Sequence, residues 1–305
     1  MDEDRANGVL LGLACGDALG RPIEFKTAQE IDSVHGTLTD MVGHGTWGQP
    51  AGTITDDTDQ ALCIARSLVE CGTFDPEDIA ERFVQWYDTD PFDIGNMTRR
   101  SLEKLKRGVP WDQAGRQVWE NSPEGSNAGN GSVMRCPPLA IAYYDDYDIL
   151  IRVSKQSSEI THADPRCTYG CAILNLTIAG ILRDDSEPLT TALELISPDV
   201  PDELVSGLEP IADERELHSI SPSGYVVDSL RTAMYDGLRA ENAESAIVNA
   251  VNRGGDTDTI GAITGAIAGA RFGAEDLPDQ WLETIEESTE LTAIAGKLHD
   301  FSPHG

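Results

Sequence analysis

The chain has 305 residues and carries 22 basic against 53 acidic side chains, a net charge of −31. An apolar share of 40% excludes a wholly disordered protein, and so acidic a chain excludes a broad nucleic-acid-binding face, because it would repel the phosphates. With only five lysines, the composition is typical of halophilic archaea that accumulate salt, and an ordinary acidic enzyme is the alternative.

The first residues and the cysteines indicate a cytoplasmic protein. The N-terminus is acidic, and glycines interrupt the apolar run Val9–Ala18, so we expect no signal peptide. No stretch reaches the length of an apolar membrane span. The six cysteines form no C-x-x-C pair, which favours reduced thiols.

Helical periodicity dominates the chain, and alternating β-branched runs are nearly absent. The pattern predicts an all-α fold, a compact orthogonal bundle of many helices. In chain order, the predicted helices are Asp59–Glu70, Asp75–Tyr87, Met97–Arg107, Trp111–Glu120, Ser132–Tyr144, Tyr147–Glu159, Pro165–Leu182, Gly224–Leu238, Glu244–Val251, Thr257–Phe272 and Pro278–Ser288.

Two stretches stand out between and within these helices. Residues 183–223 are acidic and carry four prolines, which predicts a peripheral insertion with two or three short helices inside a single domain spanning 1–305. A domain boundary there is the alternative. In the helix Thr257–Phe272, a glycine at every fourth position predicts a buried face that another helix approaches closely.

The segment Thr53–Asp59 places hydroxyls and three carboxylates at the start of a helix. One acid is enough to cap a helix, and adjacent carboxylates repel each other. Such oxygen atoms are ligands for Mg, Mn or Ca. The segment therefore indicates either a metal site or a helix N-terminus with more acids than capping requires.

A second acidic segment, Arg253–Thr259, joins two glycines to an Asp-Thr-Asp-Thr run before an apolar helix. The glycines allow the chain to turn, so that two carboxylates could face one cation. An EF-hand is excluded, because its loop pattern is missing. If the two segments converge, their buried charges would require cations or protonation.

The chain resembles the ADP-ribosylglycohydrolase family, which includes the dinitrogenase-reductase-activating glycohydrolase and hydrolases of ADP-ribosylated arginine and serine. The resemblance implies an all-α fold with a binuclear Mg or Mn centre in a cleft, and hydrolysis of the glycosidic bond of an ADP-ribosyl group. It rests on six segments in family order, which are residues 12–25, 52–58, 94–102, 129–135, 161–164 and 254–259.

The resemblance also implies roles for individual residues. Glu24 and Asp258 are the catalytic candidates, and the acid Asp17 is interpreted as structural. The implied metal ligands are Thr55, Asp56, Asp57, Asp256, Asp258 and Thr259. The implied substrate-binding residues are Gly95, Asn96, Met97, Thr98, Gly129, Asn130, Gly131, Ser132 and His162.

The sequence leaves open the acceptor, the role of one glycine-rich loop and two alternative functions. The acceptor could be arginine, serine, a DNA base or a small metabolite, and the glycine-rich loop Gly43–Gly48 could be a lid or a packed loop. We expect an ADP-ribosylated substrate, no membrane partner and a monomer. The alternatives are a non-catalytic ADP-ribose-binding regulator and a two-metal phosphohydrolase, which would need a basic clamp.

Overall fold

The computed structural model describes residues 1–123, 125–196, 198–215 and 220–301. Over these residues the fold is all-α, with no strand and three isolated β-bridges, which confirms the predicted class. The α-helices are α1 Glu3–Gly20, α2 Ala28–His35, α3 Asp56–Cys71, α4 Pro76–Tyr87, α5 Asn96–Lys106, α6 Trp111–Glu120, α7 Pro137–Ala142, α8 Tyr147–Glu159, α9 Pro165–Leu182, α10 Pro188–Leu195, α11 Asp202–Ala212, α12 Val226–Arg239, α13 Ala243–Val251, α14 Thr257–Phe272, α15 Asp279–Thr284 and α16 Ser288–His299.

Two predicted helices are wrong in their bounds. The helix predicted over Ser132–Tyr144 begins only at Pro137, because Pro137 and Pro138 lack the N–H groups that would bond to the carbonyls of Val133 and Met134 in a helix running on from Ser132. The helix predicted over Pro278–Ser288 ends at Thr284, and a separate helix, α16, follows. The sequence patterns also missed α1 and α2.

The centre of the fold is the antiparallel pair α1 and α14. Both helices are buried on nearly all sides. The glycines of α1 face those of α14, so that a Cβ atom on Gly12 or Gly16 would overlap the carbonyl of Gly265 or Gly261. The predicted close approach of the glycine face is therefore confirmed, and α1 is its partner. This pairing brings the end of α1 to the start of α14.

The acidic segment 183–223 contains two short helices, α10 and α11, among its described residues. The first packs on α9, and the second packs mainly on α12. All six cysteines are unpaired, and five of them are buried. Across the described residues, no helix combines the length and the apolar character that crossing a membrane requires.

Candidate metal centre and substrate site

The first acidic segment begins α3. The N-cap residue Thr55 accepts a hydrogen bond from the N–H of Asp57, and the side chains of Asp56 and Asp57 are buried. Asp17, on α1, accepts hydrogen bonds from the backbone N–H groups of Thr55 at 3.0 Å and Thr58 at 3.2 Å. The structural role expected of Asp17 is confirmed, since it anchors the start of α3 to α1.

The second acidic segment begins α14. Gly254 and Gly255 both have a φ of 79°, and a Cβ atom on either would overlap a backbone carbonyl of a neighbouring segment. The N–H of Phe25 donates to the carbonyl of Gly255 at 2.7 Å. This bond joins the residue after Glu24 to the turn before Asp258.

The two acidic segments converge with Glu24. Oxygen atoms of Glu24, Asp93 and Asp258 all lie within 4.8 Å of one another. The hydroxyl of Thr259 donates to Oδ2 of Asp57 at 3.3 Å, which links the start of α14 to the start of α3. Convergence, which the residue patterns left open, is thus a property of the fold.

Asp93 is the acid that sequence reasoning missed. It lies just before α5, whose first residues were predicted as a substrate loop, and it is half-buried. Asp93 stands shortly before the helix start at Gly95 and Asn96, and the other two acidic segments also stand at helix starts. The sequence therefore carried a local signal for this acid. Its closeness to Glu24 could not be read from the sequence, because 68 residues separate them.

Burial and mutual repulsion raise the pKa values of the acids that converge here. Burial, followed by the charge of Asp93, raises the pKa of Glu24 to about 8. Burial and neighbouring carboxylates raise the pKa of Asp93 to about 7. The same causes hold the pKa values of Asp56, Asp57 and Asp258 well above their usual range.

The donor set fits divalent cations. Within the described residues, none of these five acids forms a salt bridge with a basic side chain. The buried atom Oδ1 of Asp57 has no hydrogen-bond partner there either. Uncompensated buried carboxylate oxygens are costly, and hard cations such as Mg²⁺ and Mn²⁺ compensate them.

The glycine-rich loop Gly129–Ser132 is tied to the acidic cluster. The side-chain amide of Asn130 donates to Oδ2 of Asp256 and to the hydroxyl of Ser229, both at 2.9 Å. The backbone N–H of Asn130 donates to the carbonyl of Gly224 at 3.1 Å. The loop is therefore held at a defined position beside the second acidic segment.

Polar groups converge beside this loop. The buried hydroxyl oxygen of Thr98 has no hydrogen-bond partner among the described residues. A Cβ atom on Gly131 would lie 2.9 Å from Cε1 of His162 and 3.3 Å from the Thr98 hydroxyl. The absence of a side chain on Gly131 therefore lets the loop pack closely against His162 and Thr98. Gly95 and Asn96, at the exposed start of α5, lie in the same chain segment as Thr98.

Two predicted substrate residues have no free side chain facing a ligand. The hydroxyl of Ser132 accepts a hydrogen bond from Ser158 at 2.9 Å, and Met97 is buried. These side chains stabilise the loop and the helix start that carry them. Any contact of Ser132 or Met97 with the substrate would therefore be made by backbone atoms.

A buried hydrogen-bond chain connects the first acidic segment, at Asp56, to His162. Arg135 donates to the side-chain oxygen of Gln60, whose amide donates to Asp56 at 3.3 Å. Arg135 also donates to the hydroxyl of Thr161 at 2.7 Å, and this hydroxyl lies 2.7 Å from Nδ1 of His162. An arginine guanidinium can only donate hydrogen bonds, so the hydroxyl oxygen of Thr161 accepts the bond from Arg135. The hydroxyl proton of Thr161 is then donated to Nδ1 of His162. The imidazole proton then lies on Nε2.

His162 is therefore a neutral hydrogen-bond donor. Burial, followed by the charge of Arg135, lowers its pKa to about 3. Nε2 is the ring nitrogen nearer to Gly129, where an added Cβ atom would lie 3.7 Å away. A neutral Nε2–H suits a hydroxyl or phosphate oxygen as partner.

We expect Thr161→Val to weaken ADP-ribose binding about tenfold, because it removes the acceptor for Arg135 and the donor that sets the His162 tautomer. Thr161→Ser keeps the hydroxyl and should bind as the parent does. Calorimetric titration with ADP-ribose measures the affinity, and ¹⁵N NMR of the imidazole reports the tautomer. An unchanged tautomer and affinity in Thr161→Val would contradict this role.

The loop Gly43–Gly48 packs against Glu24. The buried guanidinium of Arg21 donates to the backbone carbonyl of His44 at 3.3 Å and to that of Pro50 at 2.7 Å. The indole N–H of Trp47 donates to the Glu24 carboxylate, and the hydroxyl of Thr46 donates to the Glu24 carbonyl at 2.8 Å. These contacts favour the packed-loop interpretation over a lid.

An all-helical fold that gathers buried carboxylates at helix starts beside glycine-rich loops fits a metal-dependent hydrolase. The ADP-ribosylglycohydrolase family model matches residues 1–304, and the chain belongs to this family. It is thus an ADP-ribosyl glycohydrolase, a hydrolase of a metal-dependent family.

Named relatives align over nearly the whole chain. The chain is 32% identical to ADP-ribosylarginine hydrolase Tri1 of Serratia proteamaculans, over 98% of this chain and 80% of that protein. It is 33% identical to ADP-ribosyl-[dinitrogen reductase] glycohydrolase of Rhodospirillum rubrum, over 96% and 97%. A solved structure of an ADP-ribosylglycohydrolase-related protein complex superposes with a TM-score of 0.83 at 32% identity, covering 98% of both chains.

Proposed function

We propose that the chain hydrolyses the bond between ADP-ribose and the guanidine nitrogen of a modified arginine side chain, using two divalent cations, Mg²⁺ or Mn²⁺. The observation that carries the proposal is the convergence of Glu24, Asp93 and Asp258, with the second acidic segment tied to the glycine-rich loop by the hydrogen bond from Asn130 to Asp256. The arginine acceptor is supported by the relative named as an ADP-ribosylarginine hydrolase.

The proposed cation ligands lie at the starts of α3 and α14, which together offer carboxylates and hydroxyls. When bound, such cations supply orientation of ribose hydroxyls and an activated water. The pKa values of Glu24, about 8, and Asp93, about 7, suit groups that exchange protons near neutral pH. The proposed ligands are Thr55, Asp56, Asp57, Asp256, Asp258 and Thr259.

In the proposed reaction, water adds to the anomeric carbon, the carbon–nitrogen bond breaks, and the water proton passes to the leaving guanidine nitrogen. Glu24 is placed to take and return this proton, because it lies in the carboxylate cluster and has a raised pKa. His162 and Thr98 hold the ribose from the side of the glycine-rich loop. The backbone N–H groups of Gly95–Thr98 and of Gly129, Gly131 and Ser132 hold the diphosphate without a basic side chain.

The proposal extends to the oligomeric state, the domain organisation and the cellular environment of the enzyme. We propose a monomer of one domain, 1–305, with residues 183–223 as a peripheral insertion, in the cytoplasm of a halophile that accumulates salt. The excess of 53 acidic over 22 basic side chains supports the salt-rich setting, since concentrated ions screen the repulsion.

The test is a hydrolysis assay at high salt. Arginine-, serine- and DNA-linked ADP-ribosyl substrates are compared with Mg²⁺, with Mn²⁺ and with chelator, and the product is identified by mass. We expect metal-dependent release of ADP-ribose from the arginine-linked substrate. Release of AMP would favour a phosphohydrolase, and binding of ADP-ribose without any release would favour a regulator.

A further inference from the structure

Three aromatic rings pack together beside Glu24. Four large hydrophobic side chains are exposed among the described residues, and two of them adjoin acids of the carboxylate cluster. Phe25, 65% exposed, follows Glu24, and Phe92, 37% exposed, precedes Asp93. The ring of Trp47 lies between them, with centroids 6.4 Å from Phe25 and 5.9 Å from Phe92. We call Phe25, Trp47 and Phe92 the aromatic cluster.

The backbone holds Phe25 in a conformation that bulky residues avoid. Its φ is 65°, in the left-handed region. Hydrogen bonds from Phe25 N–H to the carbonyl of Gly255, at 2.7 Å, and from Gly255 N–H to that of Lys26, at 2.8 Å, impose this geometry. Strain of this kind, on an exposed apolar side chain beside a buried acid, is found where a side chain contacts a ligand.

The aromatic cluster and the glycine-rich loop meet the carboxylates at different residues. The loop Gly129–Ser132 is bonded to Asp256 through Asn130, whereas Trp47 donates to Glu24, and Phe92 adjoins Asp93. If the loop holds ADP-ribose, the aromatic cluster is left for the group on the far side of the bond to be cleaved.

We infer that the aromatic cluster is the acceptor subsite and that it binds the guanidinium of the ADP-ribosylated arginine against its ring faces, an inference that rests on the proposed function. A planar guanidinium stacks on aromatic rings, and neighbouring carboxylates complement its charge. A serine hydroxyl is neutral and not planar, so it gains neither contact. The net charge of −31 also disfavours a nucleic-acid acceptor.

The test uses the metal-loaded enzyme at high salt with an ADP-ribosylated arginine peptide. In the double variant Phe25→Ala, Phe92→Ala we expect KM for this peptide to rise about tenfold. Inhibition by free ADP-ribose should stay within about twofold of the parent, because the glycine-rich loop is intact. The double variant Phe25→Leu, Phe92→Leu keeps apolar bulk without ring faces, and should lose affinity for the peptide as the alanine variant does.

Val34→Ala is the matched control, since Val34 is exposed and apolar but lies outside the cluster. An unchanged KM in the alanine variant would overturn the subsite. A parent-like KM in the leucine variant would overturn stacking as its mode of binding. Equal losses for the peptide and for free ADP-ribose would assign the rings to the nucleotide instead. If the parent releases no ADP-ribose from the peptide, the proposed function fails, and the subsite fails with it.

Discussion

Asp258→Asn is expected to lower kcat/KM for ADP-ribose release at least about a hundredfold while the protein stays folded. Asp258 lies in the carboxylate cluster at the start of α14, and Asn keeps its size but removes its charge. Losing a direct ligand should cost more than losing a group that only orients a ligand, which typically costs 10–100-fold. Steady-state kinetics and calorimetric titration with Mn²⁺ measure the two effects.

The control is Asp59→Asn. Asp59 also lies in the first turn of α3 and accepts a hydrogen bond from the indole of Trp86 at 2.9 Å, but it is outside the carboxylate cluster. This variant should keep its activity and its metal affinity. Full activity and parent-like Mn²⁺ binding in Asp258→Asn would remove Asp258 from the metal site.

Asp258→Asn should also be the more stable protein when metal is chelated. Burial holds the pKa of Asp258 well above its usual range. A carboxyl group whose pKa rises on folding stabilises the fold below its unfolded pKa, and this contribution is lost as pH rises through the folded value. The parent should therefore lose stability as pH rises above the ordinary carboxyl range and through the raised pKa values of the cluster, of which that of Glu24 is about 8.

Because Asn does not titrate, the variant escapes part of that loss. Thermal unfolding in chelator at several pH values measures the difference, which should grow as pH rises. Equal pH dependence of the two proteins would show that the cluster charge is compensated without a cation.

The second large effect is expected from Gly265→Ala. Its Cβ atom would overlap the backbone carbonyl of Gly12, and a backbone atom cannot turn aside as a side chain does. We expect the free energy of unfolding to fall by about 3 kcal/mol, at the upper end of overpacking effects. Separation of α1 from α14 should also lower activity, because it moves Glu24 away from Asp258. Denaturant unfolding at fixed salt measures the stability.

Gly296→Ala is the matched control for this substitution. Gly296 lies within α16, where, among the described residues, an added Cβ atom would meet only a side-chain oxygen of Glu3, at 3.6 Å. Since Ala has the higher helix propensity, the control should be neutral or slightly stabilising. If both variants unfold at the same denaturant concentration as the parent, the close packing of α1 on α14 is contradicted.

The sequence by itself determined the helical class and the local form of the acidic segments. Hydroxyls and carboxylates at a helix start, as at Thr55–Asp57, and a glycine pair before Asp256 are local patterns, and local geometry follows from them. The glycine face of α14 also indicated a close helix partner. Most helix bounds follow from apolar spacing, except where Pro137 and Pro138 lack the N–H groups that a helix running on from Ser132 would need.

The tertiary structure alone decided which of these segments meet. Glu24 and Asp258 are 234 residues apart and come together because the glycines of α1 and α14 let two backbones touch. Asp93 joins them from the segment before α5. Phe25 and Trp47 become neighbours because Gly255 holds the turn at Phe25 and the loop Gly43–Gly48 packs against Glu24. Contacts between residues far apart in sequence depend on packing of whole helices, and single-segment patterns carry no record of that packing.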